Sequence, residues 1–142
     1  MAIDLVPLCT LRLQLKPPIQ INAGPAGTRL IVELVSAQVQ GDRLRGEMLG
    51  AAAADWMIVG PEGTGMVDVR ATLQTDDGAI IFVRYNGRMD VSQGLRFPMT
   101  AYVAPVFETG DERYAWLNRI QAVGKGLLYE DLSLSYEWYE VR

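Results

Sequence analysis

A closed antiparallel β-barrel is the fold class the sequence predicts, and three observations predict it. Runs with period-two alternation recur along the chain, and such alternation places one set of side chains on each face of a strand. Turns centred on glycine or proline separate the runs at short intervals, with 14 glycines and 7 prolines in 142 residues. No strand–helix–strand rhythm appears, which argues against a parallel α/β arrangement. About eight to ten strands and one short helix in a single domain (residues 1–142) favour closure, because a closed sheet has no exposed edge. A two-sheet sandwich is the alternative.

Each element has its own justification. Thr10 to Lys16 alternates strictly, with Leu11, Leu13 and Leu15 on one face, and Pro17-Pro18 ends it by removing ladder donors. Gly24-Pro25-Ala26-Gly27 makes a turn before a long extended segment, Arg29 to Val39. Leu44 to Leu49 and Asp55 to Val59 are short strands, the second closed by Gly60-Pro61. Met66 to Asn86 is a hairpin around Thr75-Asp76-Asp77-Gly78. A two-residue loop there would mix polar and apolar groups on both faces. A three-residue loop with left-handed Gly78 instead gathers Val67, Val69, Ala71 and Leu73 opposite Ala79, Ile81, Val83 and Tyr85, and this register is expected. It leaves Asp68, Arg70 and Thr72 together on the other face. Met99 to Val106 continues in strand style. Thr109-Gly110-Asp111-Glu112 matches a capping box and predicts a short helix that stops near Asn118. The last strand carries Leu132, Leu134, Tyr136 and Trp138 on one face.

Composition excludes many functions. With 49% hydrophobic residues the chain can bury a core without disulfide or metal staples. Thirteen basic against seventeen acidic residues give a net charge of −4, which argues against nucleic-acid binding and against docking on an anionic membrane. The absence of histidine excludes Ser-His-Asp and Cys-His catalysis and most zinc sites. Cys9 alone cannot form an internal disulfide. Gly60 to Gly65 lacks the Gly-Lys-Ser/Thr of a phosphate loop, as does Gly24 to Thr28, so no nucleotide cofactor is expected. No metal is expected either. Met1-Ala2-Ile3-Asp4 has no basic n-region, and no run approaches the roughly 20 apolar residues that span a bilayer. A cytoplasmic protein is the expectation.

The chemistry-bearing residues form three groups. Asp68 and Arg70 share a strand face, where the guanidinium could set the pKa of the carboxylate and clamp a substrate oxygen; an ordinary exposed ion pair is the alternative. Phe107 to Asn118 packs aromatics, acids, an arginine and an amide into twelve residues. A helical plug at one barrel end accounts for Thr109, Glu112, Tyr114 and Leu117, leaving Glu108, Trp116 and Asn118 as candidates for a pocket mouth. Asp55-Trp56 sets a carboxylate beside an indole after four alanines, whose small side chains leave room for close packing or for a ligand. Tyr85, Tyr102 and Tyr136 could each donate to a developing oxyanion, or satisfy a local acceptor in the core.

In order and spacing, Asp55-Trp56, Asp68-Val69-Arg70, Thr75-Asp76-Asp77-Gly78-Ala79 and Phe107 to Asn118 resemble a bacterial and fungal family of uncharacterised proteins, domain-of-unknown-function family 3237. The resemblance spans nearly the whole chain and is most specific in the aromatic helix segment. It implies a lipocalin-like or allene-oxide-cyclase-like barrel and, through some members, isomerisation of phenolic ketones. Ala51 to Ala54 stands where the family has a glycine run, and Ala71 where a tyrosine often follows the arginine, so substrate identity does not carry over.

The resulting expectation is a cofactor-free isomerase, cyclase or lyase acting on a small apolar carbonyl or phenolic molecule inside the barrel. Asp68, Arg70 and Glu108 are the expected catalytic residues, and Asp55, Trp56, Tyr85, Tyr114, Trp116 and Asn118 the expected substrate-binding ones. A non-catalytic lipocalin-like carrier and a homo-oligomeric interaction module are the alternatives.

Overall fold

A computed structural model describes residues 1–142. Ten strands run in the order β1 (Leu5–Leu15), β2 (Ile19–Gly24), β3 (Gly27–Gln40), β4 (Gly46–Met48), β5 (Ala54–Val59), β6 (Thr64–Thr75), β7 (Ile80–Asp90), β8 (Met99–Glu108), β9 (Ala122–Leu128) and β10 (Ser133–Val141). Neighbours pair antiparallel from β1 through β10, β9, β8 and β7 to β6. From β6 the sheet passes to β3 through β4 and β5, which share one position: β5 lies against the first half of β3 and β4 against its end. Pairing of β3 with β1 closes the barrel. The strand β2 is added outside the ring, on β3 alone. Closure explains why alternation was so legible: one face of every strand must look inward.

The β6–β7 hairpin takes the expected register. Val69 faces Tyr85, Ala71 faces Val83 and Leu73 faces Ile81, and the turn closes through Thr75 and Ala79 with Gly78 at φ 92°. That alternation buries Val67, Val69, Ala71 and Leu73 and turns Asp68, Arg70 and Thr72 outward.

Three sequence expectations need correction. The sequence pattern does not predict the strands β2 and β9. The first follows two prolines, and the second contains Gly124 and Gly126, which depress strand propensity. Both glycines are required by packing: a Cβ at Gly124 would collide with the Trp138 ring and one at Gly126 with the Tyr136 ring, the residues paired to them across the ladder. The last strand begins at Ser133, because Leu132 has a left-handed backbone, φ 65°. The helix is a 3-10 helix, Glu112–Arg119, and its cap is Asp111, which accepts the Arg113 N–H at 3.0 Å. Thr109 instead donates its hydroxyl to the Ile80 carbonyl at 2.8 Å, tying the segment to β7.

This helix closes one end of the barrel. Leu117 is fully buried there, and Tyr114, Trp116 and Ile120 pack against the core. Above the plug, Phe107, Trp138, Tyr85 and Tyr136 form a cluster of three edge-on ring pairs and one tilted pair with centroids 5.5–5.9 Å apart, the edge-on arrangement being favoured by the ring quadrupoles. The aromatic cluster fills the half of the barrel next to the helix.

Candidate functional site: an apolar chamber with one carboxyl group

The other half is hollow. A chamber of about 510 Å3 occupies it, within the range of small-molecule sites. Of its 22 lining residues 16 are apolar. The loop between β7 and β8 forms part of the rim, where Leu95 and Phe97 are exposed. The β2–β3 hairpin contributes the polar side chains at the rim, Gln20, Asn22 and Thr28. Asp55 and Tyr136 line the same chamber, Asp55 being the one charged residue to do so.

Local backbone structure explains how a carboxyl group comes to lie there. Along β5, Asp55 and Met57 turn inward while Trp56 turns to the exposed face. Asp55 pairs with Val69, which pairs with Tyr85, so the three share one row across the sheet. The β5–β6 pairing is interrupted between Asp55/Val69 and Ile58/Met66. In that gap the Asp55 Oδ1 accepts the Asp68 N–H at 2.9 Å. The Asp55 side chain thus replaces a ladder bond that the two strands do not make.

Burial pushes the Asp55 carboxyl up to about 6, opposed by the Asp68 N–H and reinforced by the negative charge of Asp68. The Tyr136 hydroxyl is raised by burial and by the charge of Asp55. Tyr85, behind the wall, is raised by burial, by Tyr136 and by Asp55. All three effects have one origin, an apolar interior that disfavours anions. The chamber therefore holds a carboxyl that titrates near neutrality beside a phenol that keeps its proton.

The remaining candidate residues lie elsewhere. Asp68 is half-buried and Arg70 exposed, both on the outer face of β6, and Glu108 is exposed at the end of β8. None of them lines the chamber, which corrects the expectation that the three converge on a ligand: period-two alternation that buries Val67, Val69 and Phe107 must expose their neighbours. Trp56 lies on the outside next to Ile31 of β3. Tyr114, Trp116 and Asn118 belong to the plug at the opposite end. The Tyr114 hydroxyl donates to Asp77 Oδ1 at 2.8 Å, joining the helix to the β6–β7 turn. The Arg43 guanidinium stacks over Trp116 at 5.0 Å and pairs with Glu140 at 2.7 Å. The Asn118 amide accepts from the Thr109 N–H at 2.8 Å and donates to the Thr109 carbonyl at 2.9 Å, as a backbone neighbour would. Tyr102 is on the exposed face of β8.

Comparison with known proteins gives relatives in sequence and neighbours in structure. The "UPF0311 protein RPA1785" of Rhodopseudomonas palustris is 30% identical over 123 residues, 78% of this chain and 80% of that protein. A "Hydroalkoxylation enzyme phnH" of Penicillium herquei is 30% identical over 99 residues, 70% of this chain and 58% of that protein. Among solved structures, a β-barrel-like protein from Acinetobacter baumannii superposes with a TM-score of 0.86 at 29% identity, covering 100% of this chain and 98% of that one. An enzyme from Penicillium herquei superposes with a TM-score of 0.76 at 26% identity, covering 99% and 96%. The family model described as "Protein of unknown function (DUF3237)" matches residues 3–141, and the chain belongs to that family.

Proposed function

We propose that the protein is an enzyme that transfers a proton to or from a small, largely apolar carbonyl-bearing or phenolic molecule held in the chamber, with Asp55 as the acid–base group. The observation that carries this reading is the position of Asp55: a lone carboxyl group in an apolar chamber, with its pKa raised to about 6. A carboxyl in that range is an effective general acid and, once it has given up its proton, an effective general base near neutral pH. Tyr136 lines the same space with a hydroxyl that stays protonated and can donate to a substrate oxygen.

The relative named as a hydroalkoxylation enzyme supports a reaction of this class. Hydroalkoxylation adds an O–H bond across an alkene. In the chamber, Asp55 would give its proton to one alkene carbon while the substrate oxygen bonds to the other. The proton lost from that oxygen would return to Asp55, leaving the carboxyl as it began. Isomerisation of an unsaturated ketone uses the same group twice, first as base at carbon and then as acid. Neither reaction requires a coenzyme.

Incubation in heavy water with an alkenyl phenol and with a β,γ-unsaturated ketone tests the proposal. Deuterium incorporated at carbon, lost by at least about 100-fold in Asp55→Asn, is the expected result, on the scale of general acid–base catalysis. With the alkenyl phenol the rate should fall as pH rises through about 6, because the acid form of Asp55 is consumed, and with the ketone, where Asp55 acts first as base, it should rise over the same range. Equal incorporation by the variant would contradict the assignment. The hydrogen bond from the Asp68 N–H gives Asp55 a structural role of its own and favours a second reading, a carrier, which would bind such molecules without exchange.

A further inference from the structure

The chamber also limits the charge and head group of what can enter. Resting on the reading of this chamber as the ligand site, we infer that the protein selects uncharged amphiphiles whose single hydroxyl, alcoholic or phenolic, lies deep against Asp55 and Tyr136 with the apolar body extending to the rim, and that it excludes organic anions.

Charge supplies the first argument. Sixteen apolar residues and one carboxyl leave an entering carboxylate or phosphate with no cation among the lining side chains. Such an anion would lose its hydration and meet the negative charge of Asp55, and both effects disfavour entry. Head-group chemistry supplies the second. Tyr136 offers a hydroxyl donor and ionised Asp55 an acceptor, so one hydroxyl can accept from the tyrosine and donate to the carboxylate. A ketone can only accept and an ammonium can only donate, so each satisfies one of the two.

Depth supplies the third argument. Val32 pairs with Asp55, and Thr28, at the rim, pairs with Val59. Four residues of β3 separate the two levels, roughly 13 Å of strand at about 3.3 Å per residue. Leu30, Met57, Val59 and Val67 line the wall between them, and Met89 and Met99 line the same chamber. The two methionines make the chamber adaptable in shape. An apolar chain anchored at Asp55 would therefore be covered along its length before it reached Gln20 and Asn22.

Displacement of the uncharged dye N-phenylnaphthylamine by octanol, octanoate and octylamine at pH 8 tests the inference. Octanol should compete best, with octanoate at least about tenfold weaker and octylamine also weaker than octanol. In Asp55→Asn the gap between octanol and octanoate should narrow, because the repelling charge is gone. Across linear alcohols, affinity should rise about three- to fourfold per methylene, the value of a buried CH2, and level off once the chain reaches the rim. Octanoate or octylamine binding as tightly as octanol would overturn the inference, as would a failure of all three to displace the dye. These readouts need no turnover. Selective binding in a protein that shows no proton exchange would overturn the enzymatic reading and leave this one standing.

Discussion

Asp55 does two things with one carboxyl group. It accepts the Asp68 N–H where the β5–β6 ladder is broken, and it is the charged residue of the chamber. The second role has a cost in stability whose sign follows from linkage. The folded carboxyl titrates near 6 against an ordinary 3.8, with burial as the leading cause, so the fold favours the neutral form. The penalty is absent below about pH 4, grows between 4 and 6, and is complete above 6. Asp55→Asn keeps an oxygen for the Asp68 N–H and removes the charge. It should stabilise the protein by about 1–2 kcal/mol at pH 8, less than the full shift implies because the group is only partly buried, and by nothing measurable at pH 4. Thermal melts at the two pH values check this. Asp68→Asn, Arg70→Ala and Glu108→Gln alter outward-facing groups and should leave turnover within about twofold; a loss of 100-fold in any of them would return the chemistry to the outer face. The pair Asp55-Trp56 was visible in the sequence as a possible pocket wall. Its division of labour was not, because adjacent strand residues face opposite ways and only the register shows which one faces in.

Among the elements, β9 and β10 determine the shape of the chamber floor. Gly124 and Gly126 lie under the Trp138 and Tyr136 rings and leave space that any side chain would occupy. Gly126→Ala should destabilise the protein by about 1–3 kcal/mol through overpacking and weaken ligand binding, since the displaced ring lines the chamber. Chemical denaturation and dye titration measure the two effects separately. The plug at the other end should behave in the opposite way. Asn118→Ala removes two hydrogen bonds to Thr109 and should cost about 1–2 kcal/mol in stability with ligand affinity unchanged. Alternation made β1, β6, β7, β8 and β10 legible, and the turn chemistry of Thr75 to Ala79 made the hairpin register legible. The strand β9 is not legible in the same way, because its glycines serve a neighbour's aromatic rings, a relation between strands that no local pattern records. The same limit applies to Tyr114, Trp116 and Asn118, because a dense run of aromatic and polar groups describes a plug as well as a pocket.

For the whole molecule, the barrel is divided across its axis. Aromatic rings and a 3-10 helix fill one half, and a chamber of about 510 Å3 with a single carboxyl occupies the other. The family match over residues 3–141 and the superposition on barrel proteins agree with the fold read from alternation. No helix of the structure is long and apolar enough to cross a membrane. Cys9 takes no part in the chemistry proposed, since burial pushes its thiol up to about 12, far from the thiolate form that reacts. What composition alone could establish was the lack of imidazole, which leaves carboxyl and hydroxyl groups to move protons. Which of the seventeen acids does so depends on closure of the sheet, a property of the whole chain. Titration of the Asp55 side-chain carbon by NMR, without ligand and with octanol bound, tests the central claim most directly. A midpoint near 6 that moves when octanol binds is the result expected. A midpoint near 4 that ignores the alcohol would mean that this carboxyl is neither desolvated nor in contact with what the chamber holds.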